Sequence, residues 1–361
     1  PREEVAYVTC TYRETGIDQP DFLATVDLNP CSPTYGQVIH RLPVPNLKDE
    51  LHASGWSTGS TCPDNATRKW SKLVLPSLIS SRIYVVDVGS QCRTPRLYKT
   101  IEPVDVFWTC NKGYLNVPRT LPNGDILIAN SGDAAGHGKG GFIVLDGETF
   151  ELKGNWEHES EVPPTGYDFW YQARHNVLVS SAGAVPRIAG RGFRPEDLKK
   201  GVYGRRLNVW NLSCRRLKGA AVLGCSAGAG GGWVTRQGVC TGSLQVFVGG
   251  LLLRCGPVTV CRDEELKSQP EPLVVKRVYG GPCKLQLSLD GKRLYVTNSF
   301  YSTWDKQFYP NLVKEGSALL QIDVDTQKGG LTVNKNFLVD FGKEPNGPCL
   351  AHEIHFSTGD S

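Results

Sequence analysis

Residues 82–90 read RIYVVDVGS, a β-branched apolar run that closes on Asp87 and passes into a Gly-Ser turn. Val, Ile and Tyr suit a pleated, half-buried surface, whereas Asp, Gly and Ser supply the hydrogen bonds and backbone freedom of a tight turn. The same design returns at 22–30 (FLATVDLNP), 142–150 (FIVLDGETF), 207–212 (LNVWNL) and 319–326 (LLQIDVDT). Its closing residues are Asp27, Asp87, Asp146, Asn211 and Asp323, separated by 60, 59, 65 and 112 positions, the last close to two of the shorter intervals. A period near 60 built from short strands, with little helical periodicity, predicts an all-β chain folded as a β-propeller, one four-stranded blade per repeat. Each blade hides its faces only against its neighbours, so residues 1–361 are expected to form a single domain. A two-sheet sandwich is the alternative, but sandwiches seldom extend so far as one unit. Short helices are expected at 195–200 (PEDLKK), with Pro in its first turn, and at 262–267 (RDEELK).

Composition narrows the function classes. With 361 residues, 40% of them hydrophobic, the chain can bury a large core. Its 40 basic and 36 acidic residues, spread without basic runs, give no field that points to nucleic acid. Apolar runs such as Leu251 to Leu253 fall far short of the roughly 18 residues needed to cross a bilayer, so no transmembrane segment is expected. Twelve cysteines at irregular spacing, without a CxxC pair, signal neither a disulfide framework nor a zinc ribbon and favour a reducing compartment. The chain begins at Pro1 and contains no methionine, so further N-terminal sequence is expected. The sequons at Asn65 and Asn211 carry meaning only outside the cytosol.

One region departs from the repeat. From Ser213 to about 256 the chain is rich in Gly, Ala and Cys, and little there alternates except Leu244 to Val248. Glycine loses much backbone entropy on ordering and offers little to bury, so weak order is expected.

Candidate chemistry starts at 50–62, ELHASGWSTGSTC, where His52 and Cys62 frame a Trp-containing loop. One imidazole and one thiol do not complete a metal shell. His352 and Glu353, in CLAHEIHF, and His175, in YQARHNVLV, join His52 as candidate metal ligands; Cys62 and Cys110 are the candidate thiols. His355 follows His352 by three residues and, in a strand, falls on the opposite face. HEIH lacks the HExxH spacing, and SGDAAGHGKGG (131–141) places Gly140 where a phosphate loop needs Ser or Thr.

Long blocks then carry a resemblance: PREEVAYVTCTYRETG (1–16), PDFLATVDLNPCSPTYGQVIHRLPVPNLKDELHASGW (20–56), LSLDGKRLYVTNSFYSTWDKQFYPNLVKEGS (287–317) and LVDFGKEPNGPCLAHE (338–353) closely resemble the selenium-binding protein and methanethiol oxidase family. The resemblance implies a seven-bladed propeller. Here a longer family stretch is replaced at about 212–256, which leaves five or six blade-like units expected. It also implies copper-dependent oxidation of methanethiol by O2 and water to formaldehyde, hydrogen sulfide and hydrogen peroxide, and selenium bound through a cysteine. A cytosolic protein is implied, with nuclear and peripheral membrane forms, protein partners on the rim and a link to protein transport. The family's selenium cysteine falls on Gly36, and Ala53, Gly59, Phe107, Asn116 and Arg119 stand at His or Cys positions, so that His52, Cys62 and Cys110 remain. Neither Phe nor Ala nor Gly donates to a metal, and Arg repels one. A catalytically silent propeller acting as an interaction scaffold is therefore the alternative reading.

Overall fold

A computed structural model of the chain describes residues 2–58, 71–158, 162–222, 246, 248 and 277–357. These form five four-stranded antiparallel sheets. The first comprises β1 (Val5–Thr11), β2 (Phe22–Asp27), β3 (Val38–Pro43) and β20 (Leu350–Phe356). The second holds β4 (Gly55–Trp56), β5 (Lys72–Pro76), β6 (Ile83–Asp87) and β7 (Arg96–Ile101). The third holds β8 (Gly113–Thr120), β9 (Ile126–Gly132), β10 (Phe142–Leu145) and β11 (Leu152–Asn155). The fourth holds β12 (Phe169–Gln172), β13 (Val177–Ser181), β14 (Arg206–Asn211) and β15 (Arg216–Val222), and the fifth β16 (Leu285–Leu287), β17 (Arg293–Thr297), β18 (Ala318–Val324) and β19 (Leu331–Asp340). The architecture is the expected all-β propeller, and its first blade joins the two ends of the chain because β20 pairs with β1.

Every repeat of the sequence motif is the third strand of its blade: β2, β6, β10, β14 and β18. In four blades the closing side chain then caps the turn into the fourth strand. Asp27 accepts from the Asn29 amide, Asp87 from Gly89 and Ser90, Asp146 from Glu148 and Thr149, and Asn211 from Cys214. In the fifth blade Asp325, not Asp323, does this work, accepting from Gln327 and Lys328. β18 ends at Val324, one residue past Asp323, so Asp323 stays in the ladder opposite Arg293. Each pairing of third and fourth strands also carries a register shift, at Thr25/Val26, Val85/Val86, Val144/Leu145, Val209/Trp210 and Leu320/Ile322. A bulge at this point raises the local twist, which a radial blade requires.

Blades pack face to face. Val5, Tyr7 and Leu23 meet Leu73 and Tyr84 between the first and second, and Val74 and Ile83 meet Ile126 and Ile143 between the second and third. Phe142 and Leu127 meet Phe169 and Trp210 between the third and fourth, while Tyr295, Phe337 and Val339 meet Ala6, Val8 and Phe356 between the fifth and first. The stretch after Ser213 opens as an ordered strand, contrary to the weak order expected: β15 pairs with β14 from Arg206↔Val222 to Asn211↔Arg216. Its small residues suffice because the strand is an exposed blade edge with little to bury. Residues 223–245, 247 and 249–276, which contain the 262–267 helix expectation, lie outside the described residues. The 195–200 expectation is a helix at Pro195–Lys199.

Candidate active site

The residues that converge lie on or just before the first strands of four sheets, β20, β4, β12 and β16. His52 lies three residues before β4, Tyr167 two before β12, Cys283 two before β16, and His352 within β20. His52 and His352 stack with ring centroids 3.7 Å apart and planes 18° apart. The Phe300 ring stands 6.4 Å from each. His52 Nε2 lies 3.0 Å from the hydroxyl of Tyr167, which comes from the fourth blade.

Two buried threonines fix this meeting of blades. Thr9 on β1 donates to the His52 carbonyl at 3.2 Å and accepts from the Glu353 amide at 3.0 Å. Thr297 on β17 does the same one blade earlier, donating to the His352 carbonyl at 2.5 Å and accepting from the Lys284 amide at 3.3 Å. Each hydroxyl thus ties the inner strand of its own blade to the backbone of the next blade's histidine. Nothing in the sequence singled out Thr9, Thr297, Tyr167 or Cys283; the shared Thr of VTCT and YVTN, each inside an apolar strand, was the available signal.

The tautomer of His352 follows from its partners. Nδ1 lies 2.7 Å from the Ser299 carbonyl, which can only accept, so Nδ1 carries the proton. The Nε2 lone pair is then buried and has no hydrogen-bond partner among the described residues. Burial, and after it the Lys284 ammonium, hold His352 down to about 3. Burial first and then His352 hold His52 well below the usual imidazole range, so both rings are neutral at physiological pH. The Cys283 thiol lies 3.6 Å from His352 Nδ1 and is pushed by burial up to about 12, leaving it protonated. Lys284 pairs with Glu353 at 3.2 Å; burial opposes its charge, but Glu353 and Asp168 outweigh that and raise it.

The sequence candidates divide. His52, His352 and Glu353 come together. His175 does not: it sits exposed in a 3-10 turn, Ala173–His175, between β12 and β13. His355 is also buried, and its Nε2 donates to the Ser54 carbonyl at 2.9 Å. Cys62 lies outside the described residues. Cys110 ends a helix (Pro103–Cys110), where burial raises its thiol to about 11, and it lines a separate cavity of about 380 Å³ with Lys112, Lys139 and Glu157. Gly36 is a turn at φ 73° against Phe337 and brings no thiol to the cluster. Asn116 donates to Ser131, and Arg119 stacks on Trp170 and pairs with Asp168. Among the described residues no group of three His, Cys, Asp or Glu side chains is disposed to hold a metal ion.

The sequence profile of the 56 kDa selenium binding protein family matches residues 1–228 and 236–361. The chain is 47% identical to the methanethiol oxidases of Xenopus tropicalis and Homo sapiens, over all of its length and 94% of theirs. Those alignments run over 445 and 444 positions against 361 residues here, so the relatives carry more than eighty residues without a counterpart in this chain. A hypothetical selenium-binding protein from Sulfolobus tokodaii superposes with a TM-score of 0.80 at 27% identity, covering 100% of this chain and 95% of that one.

Proposed function

Because this chain belongs to the 56 kDa selenium binding protein family, we propose that it oxidises methanethiol with O2 and water to formaldehyde, hydrogen sulfide and hydrogen peroxide at the His52, Tyr167 and His352 cluster. The observation that supports this site is the buried Nε2 of His352, which has no partner among the described residues. A buried acceptor left without a donor is costly, and the S–H of a small thiol is a donor able to satisfy it. Held near 3, His352 does not take the proton in the ground state; it orients the thiol as a hydrogen-bond acceptor. The neutral, aromatic surroundings of Phe300 and the stacked imidazole suit a methyl group.

Copper, which the family resemblance implies, does not fit the described side chains as they stand. Rings stacked 3.7 Å apart with planes 18° apart keep their in-plane lone pairs in separate, nearly parallel planes, so the two do not meet at one metal position. The Nδ1 nearest Cys283 is committed to the Ser299 carbonyl. We therefore route no step through a metal. Selenium held through a thiol would need one other than position 36, and Cys283 is the thiol at this cluster. The seven described cysteines are all free, which favours a reducing, cytosolic setting; nuclear or peripheral membrane forms, rim partners and a part in protein transport belong to the same reading.

The shorter length and the lack of a metal-ligand group among the described residues favour the second reading, a silent scaffold. Sulfide and peroxide release from methanethiol, measured on the purified chain with and without added copper, separates the two. Release that falls about 100-fold in His352→Gln, with the circular dichroism spectrum preserved, is the expected result. No release in either condition leaves the scaffold reading standing.

A further inference from the structure

We propose that Phe300 sets the size of the thiol this site admits, passing a one-carbon alkyl group and turning away longer ones; the inference rests on the reading of the His52, Tyr167 and His352 cluster as a thiol site. The Phe300 ring meets all three members of that cluster. Its centroid stands 6.4 Å from His52, 6.4 Å from His352 and 6.3 Å from Tyr167. These are contact distances for aromatic rings, so space between them remains only for a small group. Both imidazoles are buried, 3% and 2% exposed, whereas Phe300 is 36% exposed and stands on the solvent side of the stack. With the sulfur held at Nε2 of His352, the alkyl group has the Phe300 ring as its neighbour on the open side.

A wall selects by size only if it does not give way, and the segment that carries Phe300 is fastened on several sides. Asp305 accepts from the Phe300 amide at 3.1 Å and from Ser299 Oγ at 2.6 Å. The Ser302 amide donates to the Glu50 carboxylate at 3.0 Å, and the Trp304 indole donates to the Ala189 carbonyl at 3.2 Å. Gln307 pairs with the Phe193 backbone, accepting at 2.7 Å and donating at 2.9 Å. Trp304 backs the Phe300 ring with centroids 5.9 Å apart. Glu50 precedes β4, and Ala189 and Phe193 lie between β13 and β14, so this excursion from the fifth blade is tied to the entry of the second blade and to a loop of the fourth. A longer alkyl chain must then push aside a ring whose own segment is tied down, and each added methylene in such a filled site lowers affinity by about 10-fold or more.

The test reads binding, which does not require turnover. The full chain and Phe300→Ala are titrated calorimetrically, without oxygen, with methanethiol, ethanethiol and 1-propanethiol. In the parent, affinity is expected to fall about 10-fold with each added carbon, and in Phe300→Ala the series should flatten or reverse. Phe300→Leu, which keeps an apolar wall, should lie between the two and carries the comparison if the alanine variant does not fold. A parent that binds none of the three thiols, a flat parent series, or variant series as steep as the parent's would overturn the proposal. Sulfide release on readmitting oxygen reports the oxidase reading separately. A steep binding series without release upholds the size selection and counts against the oxidase, and release with a flat series does the reverse.

Discussion

Thr9 shows how much one hydroxyl decides. It donates to His52 and accepts from Glu353, so Thr9→Val keeps the volume but strands a buried carbonyl and a buried amide. Leaving such groups unpaired costs about 1–3 kcal/mol, and that loss is expected in guanidinium unfolding, together with weaker thiol turnover. An unchanged midpoint would show that the tie does not carry load. Asp305 is the second case. It accepts from Ser299 Oγ at 2.6 Å and the Phe300 amide at 3.1 Å, one step behind the carbonyl that holds His352. Burial raises it to about 7, with those hydrogen bonds opposing. Its folded value lies above its unfolded one, so its contribution is full below about pH 4 and is lost as pH rises through 7. His352 works the other way: its contribution is full above about 6.5 and is lost as pH falls toward 3. Asp305→Asn should therefore gain on the parent by about 1–4 kcal/mol between pH 4 and pH 8 in denaturant titrations. A pH-independent difference would rule this out.

At the scale of the element, the motif that revealed the repeat is a turn cap as much as a strand. Asp27, Asp87 and Asn211 end their strands and Asp146 follows β10 by one residue, as the sequence predicts, because a short acceptor two or three residues before free amides is a local matter. Asp323 was misplaced by two residues, since the sequence IDVDT offers two aspartates in register and only the length of β18 selects Asp325. Asp325→Ala is expected to lower the thermal midpoint more than Asp323→Ala. Equal effects would mean that the cap in the fifth blade contributes nothing.

For the whole molecule, the decisive contact is β20 on β1. Blades hide their faces only against neighbours, so removing one strand exposes two interfaces. A chain ended after Pro348 loses the inner strand of the first blade along with Ala351, Ile354 and Phe356 from the core it shares with the fifth. It is expected to be insoluble or to lack a cooperative thermal transition. A soluble, cooperatively melting truncation would show that the seam is dispensable.

Continuous apolar runs, turn residues and their spacing near 60 were enough to determine the blade design, because strand pairing within a blade is nearly local in the chain. The family likewise followed from contiguous blocks. The site did not: His52 and His352 are 300 residues apart, and only blade closure stacks them. Sequence offered His175 on the same footing as His352, yet one ended in an exposed turn and the other in the core. Burial, tautomer and partner are properties of the packed neighbours, and a linear pattern of residue types contains none of them.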